Sequence, residues 1–116
     1  MAISEEYTMS AVTVGATELS IVSGTTTLQN ITTDGAYQLW IDPVTNMAKG
    51  DEFKIRIYEK VKGAGTKRVV FVATLSDAQS ENFVAPTLIL MHGWDMTIQK
   101  IAGTDRAFDG SIRRIA

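Results

Sequence analysis

Gly50-Asp-Glu-Phe-Lys-Ile-Arg-Ile-Tyr-Glu-Lys-Val61, then Lys62-Gly-Ala-Gly-Thr-Lys67, then Arg68-Val-Val-Phe-Val-Ala-Thr-Leu75: this stretch decides the fold class. Phe53, Ile55 and Ile57 alternate with Lys54, Arg56 and Tyr58, the period-2 pattern of a strand with one face in a core and the other facing water or a partner. A glycine turn follows, and the chain returns as a second strand. Val69, Phe71, Ala73 and Leu75 fall on one face of that strand and Val70, Val72 and Thr74 on the other, so both faces are suited to cover. Such a strand is expected in the middle of a sheet or beneath a neighbouring subunit.

Outward from this hairpin the same grammar repeats. Tyr7, Met9 and Ala11 alternate with Thr8, Ser10 and Val12, and Glu18 to Val22 forms a short strand closed by Ser23-Gly24. Thr25 to Thr32 is β-branched and suits a half-wet strand. Asp34-Gly35 then signals a hairpin leading into Ala36 to Ile41, with Tyr37, Leu39 and Ile41 inward and Gln38 and Trp40 outward. Asp42-Pro43 stops that strand, and Pro43 to Lys49 offers a single helical turn. Ser76 to Ala85 has no strand period and reads as a loop crossing between sheets. Thr87 to Met91 is almost continuously apolar, as expected of a fully buried strand. Trp94, Met96 and Ile98 share a face, and Arg106 to Ile115 supplies the last strand. Ala64-Gly-Thr66 recurs as Ala102-Gly-Thr104, which is read as glycine turn chemistry used twice. The fold class expected is all-β, an antiparallel β-sandwich or jelly-roll-like barrel of seven to nine strands. Residues 1–6 are expected as a flexible N-terminal arm and residues 7–116 as one sandwich domain.

Composition limits function. A chain of 116 residues with 45% hydrophobic content supports one globular core. It has no cysteine, so disulfides and thiolate chemistry are excluded. Its formal charge of -2, with signs interspersed, argues against a nucleic-acid binder that works through a basic face. No apolar run approaches the ~20 residues of a membrane span. The start, Met1-Ala-Ile-Ser-Glu-Glu-Tyr7, lacks the bases and apolar region of a secretory signal, so folding in a cytoplasm is expected.

Catalytic readings find little support. His92 is the only histidine, no Gly-x-Ser-x-Gly elbow is present, and His92 with Asp95 is an incomplete metal set. His92 is expected as a structural imidazole bonded at a sheet end. Asp51 and Glu52 are adjacent on an extended chain and are expected to point apart, while Asp105 and Asp109 sit in or near a turn, where aspartate is common. Gly63-Ala-Gly65 lacks a following Gly-Lys-Ser. No enzyme activity and no cofactor are expected. Outward Trp40 and Tyr58 suit sugar stacking or interface anchoring.

Four segments carry a resemblance: Ala2 to Thr8, Gly35 to Asp42, Gly50 to Lys60 and Pro86 to Asp95, continued by Gly103-Thr-Asp-Arg106 and Ser111-Ile-Arg113. Together they resemble small β-rich proteins of tailed bacteriophages. The resemblance implies a virion structural protein assembled in the host cytoplasm, with a capsid decoration or cement protein as the first choice. Its partners would be the major capsid protein or other virion subunits, and its own copies as a homo-oligomer, with a trimer favoured. Interface residues would be Ile3, Tyr7, Trp40, Arg56, Tyr58, Lys62, Lys67 and Arg68. A tail-tube, head-completion or baseplate protein and a carbohydrate- or receptor-binding module are the alternatives.

Overall fold

The computed structural model describes residues 2–115. Among the described residues nine strands follow one another: β1 (Ile3–Val14), β2 (Leu19–Ser20), β3 (Gly35–Asp42), β4 (Glu52–Glu59), β5 (Arg68–Ser76), β6 (Phe83–Val84), β7 (Leu88–Leu90), β8 (Asp95–Ala102) and β9 (Arg106–Ile115). All the pairings are antiparallel. One sheet runs β1-β9-β3-β6, with β7 also on β3, and the other runs β2-β8-β4-β5. We call these sheets A and B.

Strands β6 and β7 are two halves of one edge strand. Tyr37 lies opposite Leu88 and Trp40 opposite Val84, so three steps along β3 meet four along its partner. The extra residue sits beside Pro86, which has no N–H to give the ladder. With those halves counted as one, eight strands interleave in the order of a two-sheet jelly roll.

The alternation of β3 and β4 is what packs the sheets. Tyr37, Leu39 and Ile41 from sheet A and Phe53, Ile55 and Ile57 from sheet B are all buried, and Met96, Ile98, Phe108 and Ile112 fill the space between them. Phe53 meets Phe108 edge-on at 4.9 Å, and Tyr37 packs on Trp94 at 4.4 Å. Burial of each such side chain contributes roughly 1.5–3 kcal/mol.

Several expectations need correction. Ile3 to Glu6 are not a loose arm but the first part of β1, with Ile3 opposite Ile115 and Glu5 opposite Arg113; Met1 lies outside the described residues. A bulge between Glu5 and Tyr7 breaks the alternation and hides that strand in the sequence. Thr25 to Thr32 makes only the isolated bridges Ser20–Thr25 and Ile31–Trp94. Asp34-Gly35 joins no hairpin, because β3 pairs with β6, β7 and β9 instead. In Leu88-Ile89-Leu90 only Leu90 is buried, and Ile89 is 82% exposed. Strand β5 is an edge, not a centre. The single helical turn does form, as one Met47 N–H to Pro43 C=O bond of 3.2 Å. Ser76 to Ala85 does cross from sheet B to sheet A, carrying β6 within it.

Candidate functional site

Cross-strand partners share a face, so register assigns the outer surface of sheet A. Since Tyr37, Leu39 and Ile41 point inward, Ala36, Gln38, Trp40 and Asp42 point out, opposite Ile115, Arg113, Ser111 and Asp109. The first row extends further. Ile3 pairs with Ile115, Ile115 with Ala36 and Ala36 with Ile89, giving an aliphatic row across four strands. Ile3 is 71% exposed and Ile89 82%.

Beside this row lie two depressions that share Arg113. One, of about 180 Å³, is lined by Ile3, Ala36, Gln38, Thr87 and Ile115. The other, of about 230 Å³, is open and lined by Glu5, Trp40, Asp42, Asn82, Asp109 and Ser111. The Arg113 guanidinium lies 3.8 Å from the Trp40 ring centroid, while Trp40 Nε1 donates to Gln38 Oε1 at 2.9 Å. The indole is therefore held at its N–H and capped by a cation.

Sheet B presents a different outer face. Glu18 reaches across it from the residue before β2, accepting from Tyr58 Oη at 2.7 Å and from Thr97 Oγ1, with Arg56 Nη1 at 3.5 Å. Arg56 also donates to Gln99 Oε1 at 2.8 Å. Burial, together with the Glu18 carboxylate that accepts its proton, pushes the Tyr58 hydroxyl up to about 12. Lys67 Nζ donates to Gln29 C=O at 2.6 Å and to Asn30 Oδ1 at 3.0 Å, 5.7 Å from the Tyr58 ring centroid. These side chains tie the Gln29–Asn30 segment to the sheet.

Three buried carboxylates brace the ends of the sandwich. Asp51 accepts from the Ala48 and Thr104 backbone N–H groups and from Arg106 Nε at 2.7 Å, which together hold its carboxyl down at about 2. Asp95 accepts from Ser20 Oγ and from the Gln29 and Met96 N–H groups, yet burial outweighs these bonds and pushes its pKa up. Glu59 accepts from the backbone N–H groups of Lys60, Met91 and His92. It is thus the backbone of His92, not its ring, that is bonded at the sheet end.

The eight sequence-predicted residues separate into four groups. Ile3 and Trp40 share the outer face of sheet A. Arg56, Tyr58 and Lys67 belong to the bonded face of sheet B. Lys62 and Arg68 stand at the β4–β5 turn with no side-chain bond among the described residues. Tyr7 stands apart from these surfaces: it is half-buried, packs against the core and meets Trp94 edge-on at 6.1 Å. Asp109 is an outward residue of β9 and accepts the Ala11 N–H at 2.7 Å. The sequence reading missed Ile89, Ile115 and Glu18. The Ile3–Ile115 pairing was hidden by the bulge, and Ile89 by a run that read as buried. Among the described residues no three His, Asp or Glu side chains converge as metal ligands.

No protein-family model matches the sequence, and no curated protein does. Two solved structures are similar to it in shape. One is Eiger TNF from S. frugiperda, at 15% identity and a TM-score of 0.43 over 78% of this chain and 66% of that one. The other is a xylan-binding domain from CBM 22, at 15% identity and a TM-score of 0.42 over 73% of this chain and 57% of that one. The chain thus spans less than two thirds of the length of either.

Proposed function

We propose that this protein is a structural component of a tailed-phage virion that decorates the capsid, seating the outer face of sheet A on shell subunits. The observation that carries this reading is the aliphatic row Ile3–Ile115–Ala36–Ile89. A sheet face of a free-standing domain exposes polar residues, and burying an isoleucine there is worth roughly 1.5–3 kcal/mol. The likeness of the sequence to small phage proteins supports the same reading. Such a protein would stabilise the shell by mass action, because it binds the assembled form alone.

The test is binding to empty shells of the phage that encodes it. Wild-type protein is expected to co-sediment with shells and to raise their melting temperature. An Ile3→Asp, Ile89→Asp double variant should bind at least about 100-fold more weakly, since two apolar contacts become buried charges. Its own unfolding should stay within about 0.5 kcal/mol of wild type, because both positions are exposed. Absence of the protein from shells by electron microscopy would exclude the reading, and copies on the tail would move it to the tail-tube or baseplate class.

A second reading has one observation in its favour. The open depression beside Trp40 combines an indole with Asn82, Asp109 and Arg113, groups suited to sugar hydroxyls. Arg113 already covers the indole, so a sugar would have to displace it. Binding on a glycan array that Trp40→Ala abolishes would favour this reading over the first.

A further inference from the structure

We propose that the free edge of β5 pairs with β5 of a second copy, antiparallel about a two-fold axis at Val72, joining two copies of sheet B into one eight-stranded sheet.

The sandwich has two long edge strands, and they are treated differently. Strand β1 carries bulges between Glu5 and Tyr7 and between Met9 and Val12. Ala11 there adopts φ 48°, Asp109 occupies its N–H, and Glu5 and Glu6 add charge. Bulges and charges of this kind stop an edge from templating another strand. Strand β5 has no such protection at its centre. No charge and no proline interrupts Val69 to Ser76, and Val69, Val70 and Val72 are 44%, 47% and 53% exposed. Its single irregularity, the extra residue opposite Ile57 and Tyr58, lies toward the turn. That bulge also takes Val69 off the face of Phe71, Ala73 and Leu75: Val69 stands opposite outward Tyr58 and Val72 opposite outward Arg56, so both valines point away from the core.

Charge selects the occupant. At the start of β5 stand Lys62, Lys67 and Arg68; just past its end stand Asp77 and Glu81. Arg68 and Glu81 make no side-chain bond among the described residues, whereas Lys67 is held by Gln29 and Asn30 and Asp77 Oδ1 accepts the Gly50 N–H at 2.9 Å. A parallel partner would set bases against bases. An antiparallel copy centred on Val72 brings the basic end, where Lys62 and Arg68 are unbonded, alongside the acidic end of its mate, which carries Glu81, twice by symmetry, and sets Val72 beside Val72. The strand is complementary to itself.

This pairing is a property of the isolated protein, so its failure leaves shell binding untouched. Sedimentation equilibrium on wild-type protein should give a dimer, twice 12.6 kDa. Val72→Lys, which sets two like charges at the axis, should weaken the dimer at least about 100-fold. Ile89→Asp, on the other sheet, should leave it unchanged. A second measurement does not depend on how the variant folds: in concentrated wild-type protein the alternate amides between Phe71 and Leu75 that point to the free edge should exchange with deuterium more slowly than on dilution, while those of β1 should not change. A monomer at millimolar concentration, a trimer, a dimer indifferent to Val72→Lys, or concentration-dependent protection in β1 would each overturn the proposal.

Discussion

Asp51 fastens three parts of the chain at once: its carboxylate takes N–H groups from Ala48 before it, Thr104 in the β8–β9 turn and Arg106 at the start of β9. Those donors lower its pKa from 3.8 to about 2. The unfolded chain therefore takes up a proton that the folded chain refuses, and the stability Asp51 contributes is lost as pH falls from about 3.8 through about 2. Asp95 has the opposite sign. Its pKa is raised by burial, so the folded state holds that proton more tightly and its contribution grows on acidification. Asp51→Asn should lower stability at neutral pH and flatten its fall across that acidic window, read from urea midpoints at a series of pH values. Parallel profiles for the two proteins would show that Asp51 is not the group responsible. Sequence alone read Asp51 and Glu52 as carboxylates pointing apart and gave no sign of the bonds that Asp51 makes, because two of the three donors are backbone amides. Amides carry no residue identity, so no motif announces them.

At the scale of elements, alternation identified β3, β4 and the Trp94 face of β8, because a half-buried strand writes its two faces into every second residue. It failed where burial and composition part company. Leu88-Ile89-Leu90 is as apolar as a central strand, yet it lies on an edge, where Ile89 has no sheet above it. The two Ala-Gly-Thr turns look alike in sequence and do different work. The first closes the β4–β5 hairpin within sheet B, whereas the second carries the chain from β8 in sheet B to β9 in sheet A. Gly103 in the second turn has φ 91°, and a Cβ there would meet the Asp51 Cα at 2.7 Å and the Gly50 C=O at 2.9 Å. Gly24 also has positive φ, 69°, but open space around it. Gly103→Ala should therefore cost about 2–3 kcal/mol, strain and clash together, and Gly24→Ala about 1 kcal/mol from strain alone. Chemical denaturation of both variants checks the difference, and equal losses would show that the Asp51 turn yields to the methyl group.

On the scale of the whole molecule, faces were legible and neighbours were not. A period of two says which residues point inward but nothing about which strand lies alongside, and the jelly-roll order depends on pairings between distant segments. The first strand lies beside the last: β9 stands between β1 and β3, and β8 between β2 and β4. Sheet A therefore has no centre until the C-terminal strand arrives, and Phe53 has no Phe108 to meet. A chain ending before Arg106 should lack the cooperative melt and the dispersed amide spectrum of the intact protein, although eight of the nine strands are present in it. The intact chain, whose contacts close long loops, should refold in milliseconds to seconds. A truncated chain that melts cooperatively would mean that sheet B and the β3 edge form a core without β9, which the burial of Phe108 and Ile112 between the sheets argues against.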